Sequence, residues 1–249
     1  MKTTLYSIDG KALKQIELPD FFADQYRDDL IKRAVLSDES REYQPKGAYK
    51  FAGLETSAKY RGRKEMYGAI KNKGIPHLPH EVLPKGQFGK VKRVPHAVKG
   101  RRAHPPKPEK KLIEEVNKKE YRKALKSALA GTAQKNVVVS RYNGLYSFDS
   151  YPIVLEDSFE NIKKTKDVLK VFNAFKLNSL IIKSKSNGSR GALVVATGNV
   201  LKAARNISGV DAISPSKIKV KHLAPGCLGG RVAIYTESAI TELKKMFAS

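Results

Sequence analysis

Between Ala192 and Ile213 the chain reads ALVVATGNVLKAARNISGVDAI. Ala192–Ala196 is a short apolar run, as expected of a strand buried on both faces of a sheet. Asn199–Asn206 follows as a short helix, and Gly209–Ile213 is extended again. A strand, a crossover helix and a second strand in close succession is the repeating unit of a parallel sheet. Working outward, the same alternation continues. Toward the C-terminus Lys217–Lys221 alternates Lys with Ile and Val, which predicts a strand with one basic face. Val232–Tyr235 reads as the last strand and Thr236–Met246 as the last helix. Toward the N-terminus Val137–Val139, Pro152–Leu155 and Ser179–Ile182 read as strands. Ser158–Phe175 reads as one helix with Ile162, Val168, Leu169 and Phe172 on one side. Lys110–Ala133 is the strongest helical pattern, with Leu112, Val116, Ala124, Leu125, Ala128 and Leu129 in i, i+3 and i+4 relations. At the start, Thr3–Ile8 and Leu13–Leu18 flank Asp9-Gly10, a hairpin signal. A helix is expected after Pro19, with Asp20 as its N-cap and Phe22, Tyr26, Leu30, Ala34 and Val35 near one stripe. The fold class is therefore α/β: a mainly parallel sheet with helices on both faces (Rossmann-like), interrupted by a long internal extended loop.

That loop is where the charge lies. The 249 residues hold 48 Lys and Arg against 24 Asp and Glu, a net charge of +24. Arg41–Lys111 alone holds 19 basic against 5 acidic residues, a net of +14, together with 8 of the 12 Pro and 8 of the 18 Gly. Pro removes backbone donors and Gly loosens the chain, so neither a long helix nor a regular strand suits it. It divides the chain into a globular α/β domain, 1–40 with 112–249, and an extended basic loop, 41–111. Tyr43, Tyr49, Phe51, Tyr60, Tyr67 and Phe88 interleave with the basic residues, a combination suited to neutralising phosphates and stacking bases. The plain alternative is a flexible basic linker, although linkers are usually poorer in aromatic residues.

Other chemistries are poorly supported. One cysteine, Cys227, cannot form an internal disulfide or a cysteine-rich zinc site. No run approaches the ~18 apolar residues of a membrane span, and MKTTLYSIDGKALKQ lacks the apolar core of a secretion signal. Neither glycine-rich nucleotide-binding pattern occurs: Gly226–Arg231 has the wrong spacing, precedes a strand rather than opening a helix, and reads as a tight turn. Cys227 and His222 have nothing to orient them as a nucleophile and base. His77 and His80 sit in a His-Leu-Pro-His run whose prolines exclude helical metal ligation, leaving contact with RNA or simple exposure. Asp149, Glu156 and Asp157 read as acidic turn residues without acid–base work. No cofactor and no metal are expected.

The run Val98-Lys99-Gly100-Arg101-Arg102-Ala103-His104-Pro105-Pro106-Lys107 resembles the signature of a universal large-subunit ribosomal protein family, the fourth in the traditional large-subunit numbering. Asn117–Ala124 and Ser127–Ala133 resemble the helix that follows the loop in that family, and Ser57–Arg63 its approach to the loop tip. The His-Pro-Pro form looks archaeal, while Lys64–Gly74 departs from the tip of bacterial members. The resemblance implies a structural, non-enzymatic protein of the cytoplasmic ribosome. Its partners would be 23S ribosomal RNA, neighbouring large-subunit proteins and, near the loop tip, the nascent peptide in the exit tunnel; no membrane is involved. Expected RNA-binding residues are Arg41, Lys46, Lys59, Arg61, Arg63, Lys64, Lys71, Lys73, Lys90, Lys92, Arg93, Lys99, Arg101, Arg102, His104 and Lys107, with Lys118, Lys119 and Arg122 on the following helix. Arg pairs suit bidentate phosphate or base-edge contacts, and Lys suits point-charge neutralisation. The competing readings are an RNA-modifying α/β enzyme and a non-ribosomal nucleic-acid binder.

Long loop insertions cost stability only weakly with length. Deleting Tyr60–Val94 is therefore expected to preserve a cooperative thermal transition of the α/β domain by circular dichroism; loss of that transition would place the loop inside the core.

Overall fold

The computed structural model describes residues 1–142, 148 and 150–248. Asp149, one of the acidic turn residues above, lies outside them. The chain divides into two compact units, one formed by Met1–Glu42 and the chain from Ile113 onward, the other by Tyr43–Leu112.

The first unit is built on a six-stranded sheet. Its strands are β1 (Lys2–Tyr6), β2 (Ala12–Glu17), β5 (Ile153–Leu155), β6 (Leu193–Val195), β7 (Asp211–Ile213) and β8 (Ala233–Thr236), in the order β2-β1-β5-β8-β6-β7. Only the β1–β2 pair is antiparallel; β1–β5, β5–β8, β8–β6 and β6–β7 are parallel. The helices are α1 (Asp28–Ser40), α2 (Lys118–Ala133), α3 (Lys135–Arg141), α4 (Thr165–Ala174), α5 (Asn178–Asn187), α6 (Val200–Arg205), α7 (Val220–Leu223) and α8 (Glu237–Ala248).

Successive strand side chains point to opposite faces, and each face has its own core. Ile153, Leu155, Val194 and Ile234 join Val168, Phe172, Val200 and Ala204 of α4 and α6. Val154, Leu193, Val195, Ala233 and Tyr235 join Ile31, Val35, Leu125, Leu129 and Leu243 of α1, α2 and α8. The doubly wound α/β architecture is thus present, with helices on both faces.

Three expected strands are not strands. Val137–Val139 lies in α3, where Val138 is the fully buried member of the run. Ser179–Ile182 lies in α5: Leu177, Leu180, Ile181 and Ser184 are the buried positions, at i, i+3, i+4 and i+7, while Ile182 is 66% exposed. Gly188 closes that helix with φ +64°, its N–H donating to the Ser184 carbonyl. In Lys217–Lys221 the alternation is real, with Ile218 and Val220 buried, but no neighbouring strand pairs with it and α7 begins at Val220. Two helices are shorter than expected. Ser158–Phe175 is a 3-10 turn over Asp157–Asn161 followed by α4, and Lys110–Ala133 is helical only from Lys118. Asp20 opens a single 3-10 turn, Asp20–Phe22, and α1 starts eight residues later behind Arg27.

Gly226–Arg231 does lead into a strand, but its last residue does far more than close a turn. Arg231 is completely buried. Its Nε donates to the Gly191 carbonyl (2.7 Å), Nη1 to Asp211 Oδ2 (2.7 Å) and the His222 carbonyl (2.8 Å), and Nη2 to the carbonyls of Ala192 (3.2 Å) and Gly209 (3.3 Å). Burial pulls its pKa down, and the Asp211 carboxylate opposes that. At the other end of the same strands Glu160 accepts from the Thr197 N–H (3.1 Å) and from the Thr197, Thr236 and Ser238 hydroxyls. Burial works against the Glu160 carboxylate, but these donors outweigh it and hold the pKa below the usual range.

Removing one partner of a buried ion pair costs about 3–5 kcal/mol. Arg231→Met is expected at the lower end, because Asp211 keeps Arg190 on its other oxygen (3.0 Å). Arg231→Lys should recover only part of the loss, since an ammonium cannot reach acceptors spread around a planar fork. Denaturant midpoints at constant m-value check both, and a wild-type midpoint for Arg231→Met would contradict the clamp.

Candidate nucleic-acid interface

The second unit, Tyr43–Leu112, is not featureless. It holds an antiparallel hairpin, β3 (His80–Val82) with β4 (Phe88–Val91), joined through a turn at Pro84–Gly86. This corrects the expectation that no regular strand would form there. Lys59 bridges to His80, and the Ile70 N–H donates to the Arg61 carbonyl (2.9 Å). Ala58 and Ile70 are fully buried, and Ala69 nearly so. A handful of small and aliphatic residues is enough to pin a hairpin when the backbone closes around them.

His80 belongs to this small core. Its ring lies edge-on to Phe88, with Nδ1 3.0 Å from the Gly89 carbonyl oxygen and Nε2 3.1 Å from that of Pro76. Both nitrogens are engaged inside the unit, so the expected RNA contact or simple exposure does not apply to His80; His77 is exposed. Among the described residues no group of three or more His, Cys, Asp or Glu could hold a metal ion.

Two glycines show how tightly the basic arms are folded. A Cβ on Gly100 would stand 1.9 Å from the Val94 carbonyl oxygen, and one on Gly53 2.7 Å from the Arg101 Cα. Gly53 also has φ +75°. Only glycine allows the backbone on either side of Arg101 and Arg102 to approach this closely. Arg93 and Lys99 take left-handed backbone angles, φ +73° and +61°, at the turns leading into the same run.

The expected RNA-binding residues present their charge outward. All are exposed except Arg61 and Lys92, which are half-buried. Lys92 Nζ pairs with Glu81 Oε1 (3.3 Å), and Arg61 Nη1 donates to the Tyr67 carbonyl (3.2 Å). Arg93 donates to the Ala58 carbonyl (3.3 Å), and Lys73 Nζ sits 5.0 Å from the centre of the Phe88 ring. Arg63 is paired with Glu65 at 3.6 Å. Lys46, Lys59, Lys64, Lys71, Lys90, Lys99, Arg101, Arg102, His104 and Lys107 are exposed and join no ion pair among the described residues. Lys50, Lys85, Lys110 and Lys111, outside the expected set, are equally exposed and belong to the same charge run. Arg41, Lys118, Lys119 and Arg122 belong to the first unit, where Arg122 donates to the Met246 carbonyl (3.3 Å).

Elsewhere the chemistry is closed off. The Cys227 thiol faces the Lys32 carbonyl (4.0 Å) and is pushed up in pKa by burial, and then by Glu39. His222 is lowered by burial, and its Nδ1 accepts from the Lys219 N–H (3.1 Å). Glu156 accepts from the Ser7 hydroxyl and the Ile8 N–H, and Asp157 from the Ser238 N–H. No described helix is long and apolar enough to cross a membrane.

The chain thus combines an α/β unit with a compact, strongly basic unit whose cations face outward. The Ribosomal protein L4/L1 family model matches residues 16–246. The chain is 41% identical to the large ribosomal subunit protein uL4 of Methanocaldococcus jannaschii over 99% of its own length and 100% of the relative's. The uL4 proteins of Methanococcus vannielii and Methanoculleus marisnigri are each 38% identical, over 99% and 98% of this chain. The chain belongs to the Ribosomal protein L4/L1 family, which is structural and not enzymatic.

Truncating a buried Ile to Ala costs about 2–5 kcal/mol. Ile70→Ala is expected to abolish amide-exchange protection in β3 and β4 while leaving protection in β6 and β8 at wild-type levels. Unchanged protection in the hairpin would mean that Ile70 is not its anchor.

Proposed function

We propose that this chain is a structural constituent of the large ribosomal subunit in the cytoplasm, binding 23S ribosomal RNA through Arg41–Lys111 and lining the nascent-peptide exit tunnel with the far part of that segment. The observation that carries this reading is the placement of charge. A segment with a net charge of +14 turns nearly all its cations outward, and most of them have no acidic partner among the described residues. Such a surface repels itself until a polyanion neutralises it. Folded RNA supplies phosphates for the Lys and Arg side chains, and hydrogen-bond partners for backbone that has few of its own. The exposed Tyr49, Phe51, Tyr60 and Tyr67 add surfaces on which unpaired bases stack. Neighbouring large-subunit proteins and the emerging peptide are the remaining partners of this reading, which needs no cofactor.

Each neutralised phosphate contributes about 0.7–0.9 to the slope of log K against log salt. Replacing Arg101 and Arg102 together by Gln is expected to reduce the slope for large-subunit RNA by roughly one to two. If the pair instead reads base edges, affinity falls with less change in slope. A double variant equal to the parent in both affinity and slope would remove this run from the interface.

A further inference from the structure

Tyr43–Lys46 and Arg102–Leu112 run beside each other within the second unit, fixed by the Ala48 N–H donating to the Pro106 carbonyl (3.3 Å). Between them lies a groove of about 970 Å³, at the upper end of the ~300–1,000 Å³ typical of ligand clefts. Tyr43, Pro105 and Pro106 give it carbon-rich walls, and Tyr43 is 63% exposed with no side-chain hydrogen bond among the described residues to hold it. Lys46, Arg102 and Lys107 lie along it, against a single carboxylate, Glu109. An apolar slot edged by cations fits a ligand that carries a flat apolar plane and an anion together. Each nucleotide of single-stranded RNA has both, whereas paired bases keep their planes inside the duplex.

We infer that this groove holds an unpaired RNA base, stacked on Tyr43 and flanked by the two prolines, with the adjoining phosphates on Lys46, Arg102 and Lys107. The inference rests on the RNA-binding reading above and refines it: the groove selects a looped-out nucleotide, whereas the surrounding cations bind any phosphate.

The test uses the full chain, a short oligouridylate carrying one 2-aminopurine, and a blunt RNA duplex of equal length. Binding should quench the 2-aminopurine, and the duplex should compete weakly. Tyr43→Ala should weaken single-strand binding about 5- to 100-fold, the worth of one stacked base, and remove the quench. Its salt slope should not change, because stacking releases no counterions. Tyr43→Phe should keep both affinity and quench, whereas Lys46→Gln should lower the slope by about 0.7. Salt-dependent binding in which Tyr43→Ala alters neither affinity nor quench would overturn the base site and leave RNA binding standing. Absence of salt-dependent binding to either RNA would overturn the RNA-binding reading itself, and the groove assignment with it.

Discussion

A guanidinium with no solvent access needs every one of its donors occupied, and the need of Arg231 shapes the α/β unit. Its acceptors come from Gly191 and Ala192 before β6, from Gly209 and Asp211 at β7, and from His222 in α7. Arg231 itself precedes β8, the strand that is last in sequence yet sits between β5 and β6. Hydrophobic burial favours many strand orders about equally, since Val, Ile and Ala fill all the central positions. A buried cation whose partners lie on three other segments favours one of them. Arginine suits the position because its planar fork reaches several acceptors at once, which a lysine ammonium on a flexible stem cannot.

The opposite end of the sheet is tied in the same way, with the sign reversed. Open α/β sheets commonly bind ligands beyond the carboxyl ends of their strands, where the strand order switches. Here Glu160 takes that position and is saturated by Thr197, Thr236 and Ser238. These donors outweigh the cost of burial and hold the Glu160 carboxyl below the usual range. The fold is shared with many enzymes, but function follows from sites rather than folds. The strand ends that host catalysis elsewhere serve here as a brace.

The second unit follows a different rule. It cannot bury much apolar surface, and what it does bury is concentrated around Ala58, Ile70 and His80. The remainder is committed to charge and to exposed rings. Close backbone packing at Gly53 and Gly100 sets the path of the arginine run without large side chains, leaving the cations pointing outward.

The sequence by itself determined what depends on composition and local period. The strands at Ala192–Ala196 and Val232–Tyr235 are apolar runs too short for helices. The basic character of Arg41–Lys111 is a property of charge density, which folding does not alter, whereas the half-burial of Arg61 and Lys92 is decided by the fold. Tertiary structure decided whatever needs a partner distant in sequence. Val137–Val139 is as β-branched as any strand here, yet it is helical, because only Val138 meets the core beneath it. The periodicity of α5 was written in Leu177, Leu180 and Ile181, with Gly188 as its stop, but polar Ser184 stood at the fourth buried position and hid it. Lys217–Lys221 alternates faithfully and still joins no sheet, since a strand exists only where another offers its edge. Arg231 looked like the end of a glycine turn. Its five acceptors lie nine to forty residues away along the chain, and only the closed sheet gathers them around one buried charge.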